Sequence, residues 1–244
     1  MGKKPSRRAK RKWPFRAGLI LAGLGLGFSG YVIYLSRDLP DVSRYKNKIP
    51  PTKGERIFIP LSALPGVLPK AVIASEDCDF YRHHGLDYEA IWDAFKEDIA
   101  ERRIVRGGST ITQQLAKNLY LSKEKTLNRK IREALIAREM ERILSKKRIL
   151  ELYLNVVEWG DGIYGVEAAS RRYFSKSVPE ISVAEAAVLA SMLPNPHYYN
   201  PDHHPEKLER RVRRLLHIMW NNRTISGEQY DQAIRELAAG LLQN

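Results

Sequence analysis

Cysteine is almost absent from this 244-residue sequence, which contains a single one, Cys78. One cysteine cannot form an intrachain disulfide, so the redox compartment cannot be inferred from pairing. We expect it to be a small packed residue rather than a catalytic thiol. The sequence also lacks internal repeats, low-complexity tracts and a Gly-x-Gly-x-x-Gly motif after a strand. These absences argue against a repeat architecture and a dinucleotide-binding fold.

Acidic residues are few, with 28 Asp and Glu against 41 Lys and Arg and a formal net charge of +13. Eight of the basic residues lie among the first 16, where there is no acidic residue, so the rest of the chain carries only +5. Most of the excess charge therefore lies in a short tail beside an apolar run. This distribution argues against a nucleic-acid partner.

The apolar run covers residues 17–36 and contains no charged residue, while Arg16 and Arg37 bound it. Twenty apolar residues are about what a helix needs to cross a hydrocarbon core of roughly 30 Å. The basic tail predicts a cytoplasmic N-terminus and a body on the outer side of the membrane. A cleaved signal peptide is the alternative, but its apolar core is normally about 7 to 15 residues long. We therefore predict an uncleaved single transmembrane helix.

The sequence predicts a mainly α chain in four parts. Residues 1–16 form a basic cytoplasmic tail, residues 17–36 a transmembrane helix, residues 37–67 an extended proline-rich connector, and residues 68–244 the folded domain. The connector contains one predicted short strand, Arg56–Ile59. Helical periodicity and start signals predict helices that end at Glu76, cover Tyr88–Arg102 and Thr126–Leu144, and open at Pro205. Capping-box spacing marks three further starts: Thr110 with Gln113, Ser182 with Glu185, and Ser226 with Gln229.

Five segments occur in a fixed order along the domain. They are EDCDFYRHHG (76–85), GGSTITQQLAKN (107–118), RKIREALIAREME (129–141), KKRILELYLNVVEWGDGIYG (146–165) with Tyr173, Phe174 and Lys176 after it, and AAVLASMLPNPHYYNP (186–201). Together they resemble the motifs of the family 51 peptidoglycan glycosyltransferases, which occur in bifunctional penicillin-binding proteins and in monofunctional transglycosylases. The resemblance implies a lysozyme-like, two-lobed glycosyltransferase domain over residues 68–244, with the smaller lobe against the membrane.

The resemblance also implies the substrate and the location of the enzyme. The substrates would be lipid II, which is lipid-linked GlcNAc-MurNAc-pentapeptide, and the growing glycan strand. The location would be the inner membrane of a bacterium, with the domain in the periplasm. The Ser-x-x-Lys sequence Ser122–Lys125 lies inside this domain and has no Lys-Thr-Gly partner, so we predict a monofunctional enzyme without a transpeptidase domain.

The chemistry of such a transfer predicts the type of site. A sugar 4-hydroxyl attacks an anomeric carbon whose leaving group is a polyprenyl pyrophosphate. A glycoside hydrolase must protonate its leaving group with a carboxylic acid, but a pyrophosphate leaves already ionised. The reaction therefore needs one general base, together with Lys, Arg or a divalent metal to stabilise charge on the phosphate oxygens.

The matching motifs supply these groups. Glu76 corresponds to the general base of the family, and Lys117 and Arg129 correspond to positions that hold the pyrophosphate, with Lys130 as a helper. Glu133 is the second acidic position of the pattern. It lies four residues after Arg129 on the same helix face, where it would pair with Arg129 or also serve the donor subsite or a metal. The residues expected to line the donor and acceptor clefts are Asp77, Ser109, Thr110, Gln113, Gln114 and Asn118, although Thr110 and Gln113 would also serve as a helix cap.

A divalent metal, Mg or Mn, is expected to bind mainly through the pyrophosphate, because hard cations often bind through phosphates and few carboxylates. We predict no metal cage made of protein side chains. His83 and His84 are adjacent and lack a matching ligand spacing, so structural roles are favoured for them.

Apolar residues flank the second motif and could contact the membrane or the polyprenyl tail. They are Ile104, Val105, Leu119, Tyr120 and Leu121, and ordinary core packing is an equal alternative. Residues 95–108 would form either a lid or a lobe resting on the membrane.

Two other functions are compatible with parts of the sequence. A lytic transglycosylase or lysozyme-like hydrolase would share an α fold and one key glutamate, but it has no use for Lys117 and Arg129 beside a pyrophosphate. A membrane-tethered scaffold would recruit wall-synthesis or division proteins, either instead of catalysis or in addition to it.

Overall fold

The structure is a computed structural model that describes residues 13–50, 57–101, 108–122, 124 and 126–242. Ten α-helices and one two-stranded antiparallel sheet make up the regular structure of this part of the chain, which confirms the predicted mainly α class. The helices are α1 (Trp13–Ser36), α2 (Val67–Glu76), α3 (Tyr88–Glu101), α4 (Ile111–Tyr120), α5 (Leu127–Ile143), α6 (Lys146–Val156), α7 (Val166–Phe174), α8 (Val183–Met192), α9 (Pro205–Asn221) and α10 (Gly227–Ala238). Strands β1 (Glu158–Gly160) and β2 (Ile163–Tyr164) lie between α6 and α7, and short 3₁₀ helices cover Ser43–Lys46, Leu61–Ala63 and Val178–Glu180.

Helix α8 is the central element of the core. Every residue from Ala184 to Met192 is buried, and α8 packs against α2, α9 and α10. A helix that is apolar on all sides is stable only when other elements surround it. A second group is formed by α4, which packs against α5 and α6. The site described below lies where α2 of the first group meets α4 of the second.

The helix boundaries follow the signals in the sequence. All three predicted capping boxes form, at the starts of α4, α8 and α10. Helix α2 ends at Glu76, Thr126 caps α5 through its side chain, and Pro205 opens α9. In each capped helix a hydroxyl accepts a hydrogen bond from a backbone N–H that would otherwise have no partner in the first turn.

The predicted strand at Arg56–Ile59 is wrong for residues 57–59, and Arg56 lies outside the described residues. The Ile59 N–H donates to Asn155 Oδ1 at 2.9 Å, and Asn155 Nδ2 donates to the Ile59 carbonyl at 2.8 Å. A side-chain amide therefore satisfies the backbone groups that a neighbouring strand would have paired. The β1–β2 hairpin was not predicted, because strands of three and two residues are too short to show a period of two.

The structure tests two further predictions, one about Cys78 and one about the apolar residues that flank the second motif. Cys78 is exposed in the turn after α2, so the prediction of a packed cysteine is wrong. The turn directs this side chain away from the core, where its Sγ lies 3.6 Å from Asp79 Oδ2. Leu119, Tyr120 and Leu121 are partly buried against the core, as the packing alternative predicted. Ile104 and Val105, with all of residues 102–107, lie outside the described residues.

Helix α1 covers the predicted apolar run. Its C-terminal end contacts α5, and Arg132 Nη2 donates to the Asp38 carbonyl at 3.0 Å. None of the helices in the described ranges is long and apolar enough to qualify as a membrane span. The transmembrane helix, the four domain boundaries and the two-lobed shape stay predictions.

Candidate active site

Glu76 is the last residue of α2, and its carboxylate faces α4. Gln114 Nε2 donates a 2.7 Å hydrogen bond to Glu76 Oε2. The other oxygen, Oε1, is buried and has no hydrogen-bond partner among the described residues. Buried polar atoms in folded proteins nearly always have partners, and exceptions often mark functional sites. Oε1 therefore has an unused capacity to accept a hydrogen bond.

The surroundings of Glu76 favour a stronger base than an ordinary carboxylate. Burial raises the pKa of this carboxyl, and the negative charge of Asp77 acts in the same direction. The hydrogen bond from Gln114 and the positive charge of Arg211 oppose the rise but do not cancel it. A general base works best when its pKa approaches the working pH, so this shift suits proton abstraction.

Asp77, the residue after the candidate base, is buried and holds neighbouring segments together. Its carboxylate lies 2.9 Å and 3.0 Å from His83 Nε2 and accepts a 2.9 Å hydrogen bond from the Ile111 N–H. A negative charge at the first turn of α4 is favourable because the backbone N–H groups there point outward. Asp77 therefore joins the end of α2 to the start of α4, and His83 has the structural role that was predicted for it.

Thr110 and Gln113, two of the predicted cleft residues, are buried and form the cap of α4. Thr110 Oγ1 accepts a hydrogen bond from the Gln113 N–H and donates to the Gly85 carbonyl at 2.7 Å. The Gln113 side chain accepts from the Thr110 N–H at 3.1 Å. These contacts match the capping role that the sequence left open.

Helix α5 supplies a carboxylate with two cations. Glu133 is 2% exposed and accepts hydrogen bonds from Arg129 Nη1 at 2.5 Å and from Lys130 Nζ. Lys130 Nζ also donates to Ser109 Oγ at 2.6 Å, which joins α5 to the segment before α4. Arg129 Nε is buried and has no partner among the described residues, so this guanidinium keeps a donor available.

Lys117 brings a third cation, from α4. It lies one helical turn after Gln114, and its side chain is exposed. Desolvation lowers the pKa of its ammonium group; Glu133 raises it, while the positive charges of Arg129 and Lys130 lower it. The charges of the α5 cluster and of Glu76 therefore act on Lys117.

The predicted residues thus fall into three groups. The first group is a cation cluster with one buried carboxylate and consists of Lys117, Arg129, Lys130, Glu133 and Ser109. The second is the hydrogen-bonded pair of Glu76 on α2 and Gln114 on α4, and the charge of Glu76 acts on Lys117. The third supports the start of α4 and consists of Asp77, Thr110 and Gln113. Asn118 is exposed on α4, where its Nδ2 donates to the Gln114 carbonyl at 3.0 Å. Over the described ranges, no group of three or more His, Cys, Asp or Glu side chains is arranged to hold a metal ion.

Two residues near Glu76 were not found from the sequence. Tyr153 on α6 donates from its hydroxyl to Gln114 Oε1 at 2.9 Å, and Arg211 on α9 acts on Glu76 by its charge. Tyr153 lies within the fourth motif, so the motif itself was the available signal. Arg211 follows the last motif and sits in a helix rich in arginine, where no spacing distinguishes it from its neighbours.

A buried carboxylate with a raised pKa, in a chain region that also holds a cluster of cations, is suited to base-catalysed transfer from an anionic leaving group. The transglycosylase family profile matches residues 44–220, a range that includes every residue of this site. The chain belongs to the transglycosylase family and is a glycosyltransferase. The family resemblance seen in the sequence is thereby confirmed.

Curated relatives agree with this assignment. A biosynthetic peptidoglycan transglycosylase of Nitrosomonas eutropha is 38% identical over 216 residues, which is 84% of this chain and 88% of that protein. One of Chromobacterium violaceum is 42% identical over 207 residues, or 81% of this chain and 91% of that protein. Penicillin-binding protein 1A of Aquifex aeolicus is 40% identical over 235 residues, or 90% of this chain, but the chain spans only 32% of that longer protein.

Proposed function

We propose that this chain polymerises the glycan strands of bacterial peptidoglycan. It would transfer the growing, lipid-pyrophosphate-linked glycan to the 4-hydroxyl of lipid II and release polyprenyl pyrophosphate. The observation that carries this proposal is the buried, unpartnered Oε1 of Glu76, a carboxylate whose charge acts on Lys117 beside Arg129 and Lys130. The names of the two relatives that the chain covers almost completely support peptidoglycan as the polymer.

In this mechanism Glu76 acts as the general base. Its Oε1 takes the proton of the acceptor 4-hydroxyl while the acceptor oxygen forms a bond to the anomeric carbon of the donor. The bond between that carbon and the pyrophosphate oxygen breaks, and its electron pair goes to the phosphate. Attack from the face opposite the leaving group inverts the anomeric configuration. Proton transfer by a positioned base contributes typically about 10²- to 10⁴-fold to the rate.

The cation cluster stabilises the leaving group. Lys117 offers a point charge and Arg129 a guanidinium with a donor to spare, both suited to phosphate oxygens. Glu133 holds Arg129 and Lys130 at fixed positions, so it orients the cations and reduces their mutual repulsion. Because pyrophosphate departs ionised, the site needs no second carboxylic acid to protonate it.

The remaining site residues divide between contact and support. Ser109, Gln114 and Asn118 would line the donor and acceptor clefts. Asp77, Thr110 and Gln113 would support these residues without binding the substrate, because their polar atoms already form hydrogen bonds within the protein. In this arrangement the helix cap determines where Ser109 and Gln114 stand in the cleft.

A divalent metal, Mg or Mn, would enter with the substrate pyrophosphate. The described residues do not form a protein cage for it, and Glu133 is already committed to two cations. Because protein cations supply much of the charge, we expect EDTA to reduce polymerisation without abolishing it, and added Mg or Mn to restore it. Polymer yield measured with and without chelator checks this, and full activity in EDTA would contradict the metal.

We also propose that α1 holds the enzyme at the inner membrane, with its N-terminus cytoplasmic and the domain periplasmic. Leu24, Leu26 and Phe28 are exposed on α1, which supports contact with lipid. A tether would confine enzyme and lipid-linked substrate to one surface and raise their effective concentration. Recruitment of wall-synthesis or division proteins stays a prediction.

The test is incubation of the purified full chain in detergent with lipid II, in parallel with preformed glycan strands. The proposal predicts long glycan polymer from lipid II and no shortening of the strands. Shortened strands without any polymer would instead identify a hydrolase, for which the three cations would need another explanation.

A further inference from the structure

A chain of two hydrogen bonds runs behind the candidate base. The Tyr153 hydroxyl donates to Gln114 Oε1 at 2.9 Å, and Gln114 Nε2 donates to Glu76 Oε2 at 2.7 Å. Tyr153 comes from α6, is completely buried, and is linked to the carboxylate by hydrogen bonds through Gln114. Three helices that are far apart in sequence therefore meet at one amide group.

The direction of these bonds depends on which end of the Gln114 amide faces Glu76. A glutamine amide has an acceptor end and a donor end, and rotation by half a turn exchanges them. In the opposite orientation the amide oxygen would face a carboxylate oxygen. The buried hydroxyl proton of Tyr153 would then lose Gln114 Oε1, its acceptor within the described residues, and a buried donor without an acceptor is unfavourable.

The Tyr153 hydroxyl remains protonated and can therefore always donate a hydrogen bond. Burial raises the pKa of Tyr153 well above its ordinary value, and the nearby charges of Glu76 and Asp77 raise it further. The hydroxyl therefore keeps its proton at any pH at which the enzyme would work. Because Gln114 Oε1 accepts the hydrogen bond from Tyr153, the Nε2 end of the amide points to Glu76. A hydrogen bond donated to the ionised carboxylate stabilises it relative to the protonated acid.

We propose that Tyr153 is a positioning residue for the reaction: through Gln114 it keeps the base oriented and ionised, with Oε1 turned toward the substrate. The inference rests on the proposed function, since it assigns Tyr153 a role in the same proton transfer. It adds a residue of the protein interior to the site, one that need not touch either sugar.

The consequence is a change in the pH dependence of turnover. In Tyr153→Phe the Gln114 amide loses the contact that orients it, so Glu76 loses part of its hydrogen bond and becomes protonated at a higher pH. The acid limb of the rate profile should move upward by about one pH unit, because a bond to a charged group is worth about 1.5–3 kcal/mol and one unit corresponds to about 1.4 kcal/mol. The rate should fall about tenfold on the acid limb and recover toward the wild-type value on the alkaline side.

The experiment measures polymerisation rates from lipid II across pH for the full-length wild type, Tyr153→Phe, Gln114→Ala and the double variant. Tyr45→Phe is the matched control, because Tyr45 is a buried tyrosine of the connector. We expect both single variants to shift the acid limb upward, the double variant to shift it no further than Gln114→Ala, and the control to match the wild type. Thermal unfolding of each variant reports folding separately.

Several outcomes would overturn the inference. They are a Tyr153→Phe profile that coincides with the wild type, a loss of rate that is equal at every pH, or shifts that add in the double variant. If Tyr153→Phe does not fold, Gln114→Ala still decides, since an unshifted acid limb in that variant removes the relay. Absence of polymer from the wild type would instead reject the proposed function, and this inference would fall with it.

Discussion

At the scale of single residues, the site is built around one carboxylate held in unfavourable surroundings. Burial disfavours the ionised form of Glu76, while the hydrogen bond from Gln114 and the charge of Arg211 favour it. One of its oxygens has no partner in the described part of the chain. In the proposed mechanism the general base has to be available to its substrate, so the protein would give up local stability for function at this residue.

The first prediction concerns the pH dependence of stability. The folded state raises the pKa of Glu76, so the stability linked to this group is fully present below the ordinary carboxylate pKa of about 4.3 and is lost as pH rises through the folded-state value. Glu76→Gln cannot ionise and escapes this loss. The variant should therefore melt at a higher temperature than the wild type at pH 7, and the difference should shrink toward pH 4.

Thermal unfolding of the full chain at several pH values checks this prediction. Glu180→Gln is the matched control, because Glu180 is exposed and the same substitution there should leave the melting temperature nearly unchanged at every pH. A Glu76→Gln variant that melts below the wild type at pH 7 would show that the carboxylate stabilises the fold, contrary to this account.

The motifs predicted most residues of the candidate site and a role for several of them. Glu76, Lys117, Arg129 and Glu133 could be predicted because their motifs resemble those of a family whose transfer reaction needs a base and cations. Arg211 could not, because it reaches Glu76 from α9 and its role arises only when distant helices pack together.

At the scale of secondary-structure elements, contacts at the start of α4 fix the positions of the site residues. Asp77 bonds to the first N–H of α4, while Thr110 caps the helix and donates to the Gly85 carbonyl. Gly85 has a φ of 90°, and a Cβ there would lie 3.0 Å from the backbone carbon and oxygen of Ala137 on α5. This close approach brings the first motif against α5.

The second prediction follows from that contact. Gly85→Ala should destabilise the protein by about 1–3 kcal/mol, the usual cost of a residue held in a sparsely populated backbone region, with an added cost from the clash. Thermal or denaturant unfolding measures the loss. Gly162→Ala shares a positive φ of 73° but has no atom within 4 Å, and Gly66→Ala has neither feature. Equal losses in Gly85→Ala and Gly162→Ala would show that contact with α5 is unimportant.

Elements with strong local signals were predictable, and those defined by distant contacts were not. Thr126 as a cap, Pro205 as a helix start and the three capping boxes are local features, so their helices begin where expected. The segment before α2 was misassigned because its backbone partner, Asn155, lies 96 residues away. No short-range pattern could reveal that pairing.

At the scale of the whole molecule, charge and apolar surface are unevenly distributed. Eight basic residues precede the apolar run, and α1 exposes Leu24 and Leu26 with 66% and 77% of their surface accessible. The remaining chain carries only a small positive excess. This arrangement is the basis of the proposed anchor, which places the site beside a lipid-linked substrate.

The third prediction tests that anchor with the full chain. Leu24→Arg combined with Leu26→Arg should release much of the protein from the membrane fraction, because each arginine near a bilayer centre costs about 2.5–3.5 kcal/mol on insertion scales. Fractionation of cells and immunodetection measure the distribution. The control, Asn221→Arg with Gln232→Arg, adds the same charge at exposed positions and should remain in the membrane fraction as the wild type does. Unchanged membrane association of the leucine variant would contradict the anchor.

The most direct measurement of the central claim is single-turnover polymerisation of lipid II by wild type, Glu76→Gln and the control Glu180→Gln. The account predicts that Glu76→Gln loses at least about 10²-fold in rate, the usual contribution of a positioned base, while it still binds lipid II and the control keeps the wild-type rate. A Glu76→Gln variant that polymerises at the wild-type rate would show that another group takes the acceptor proton.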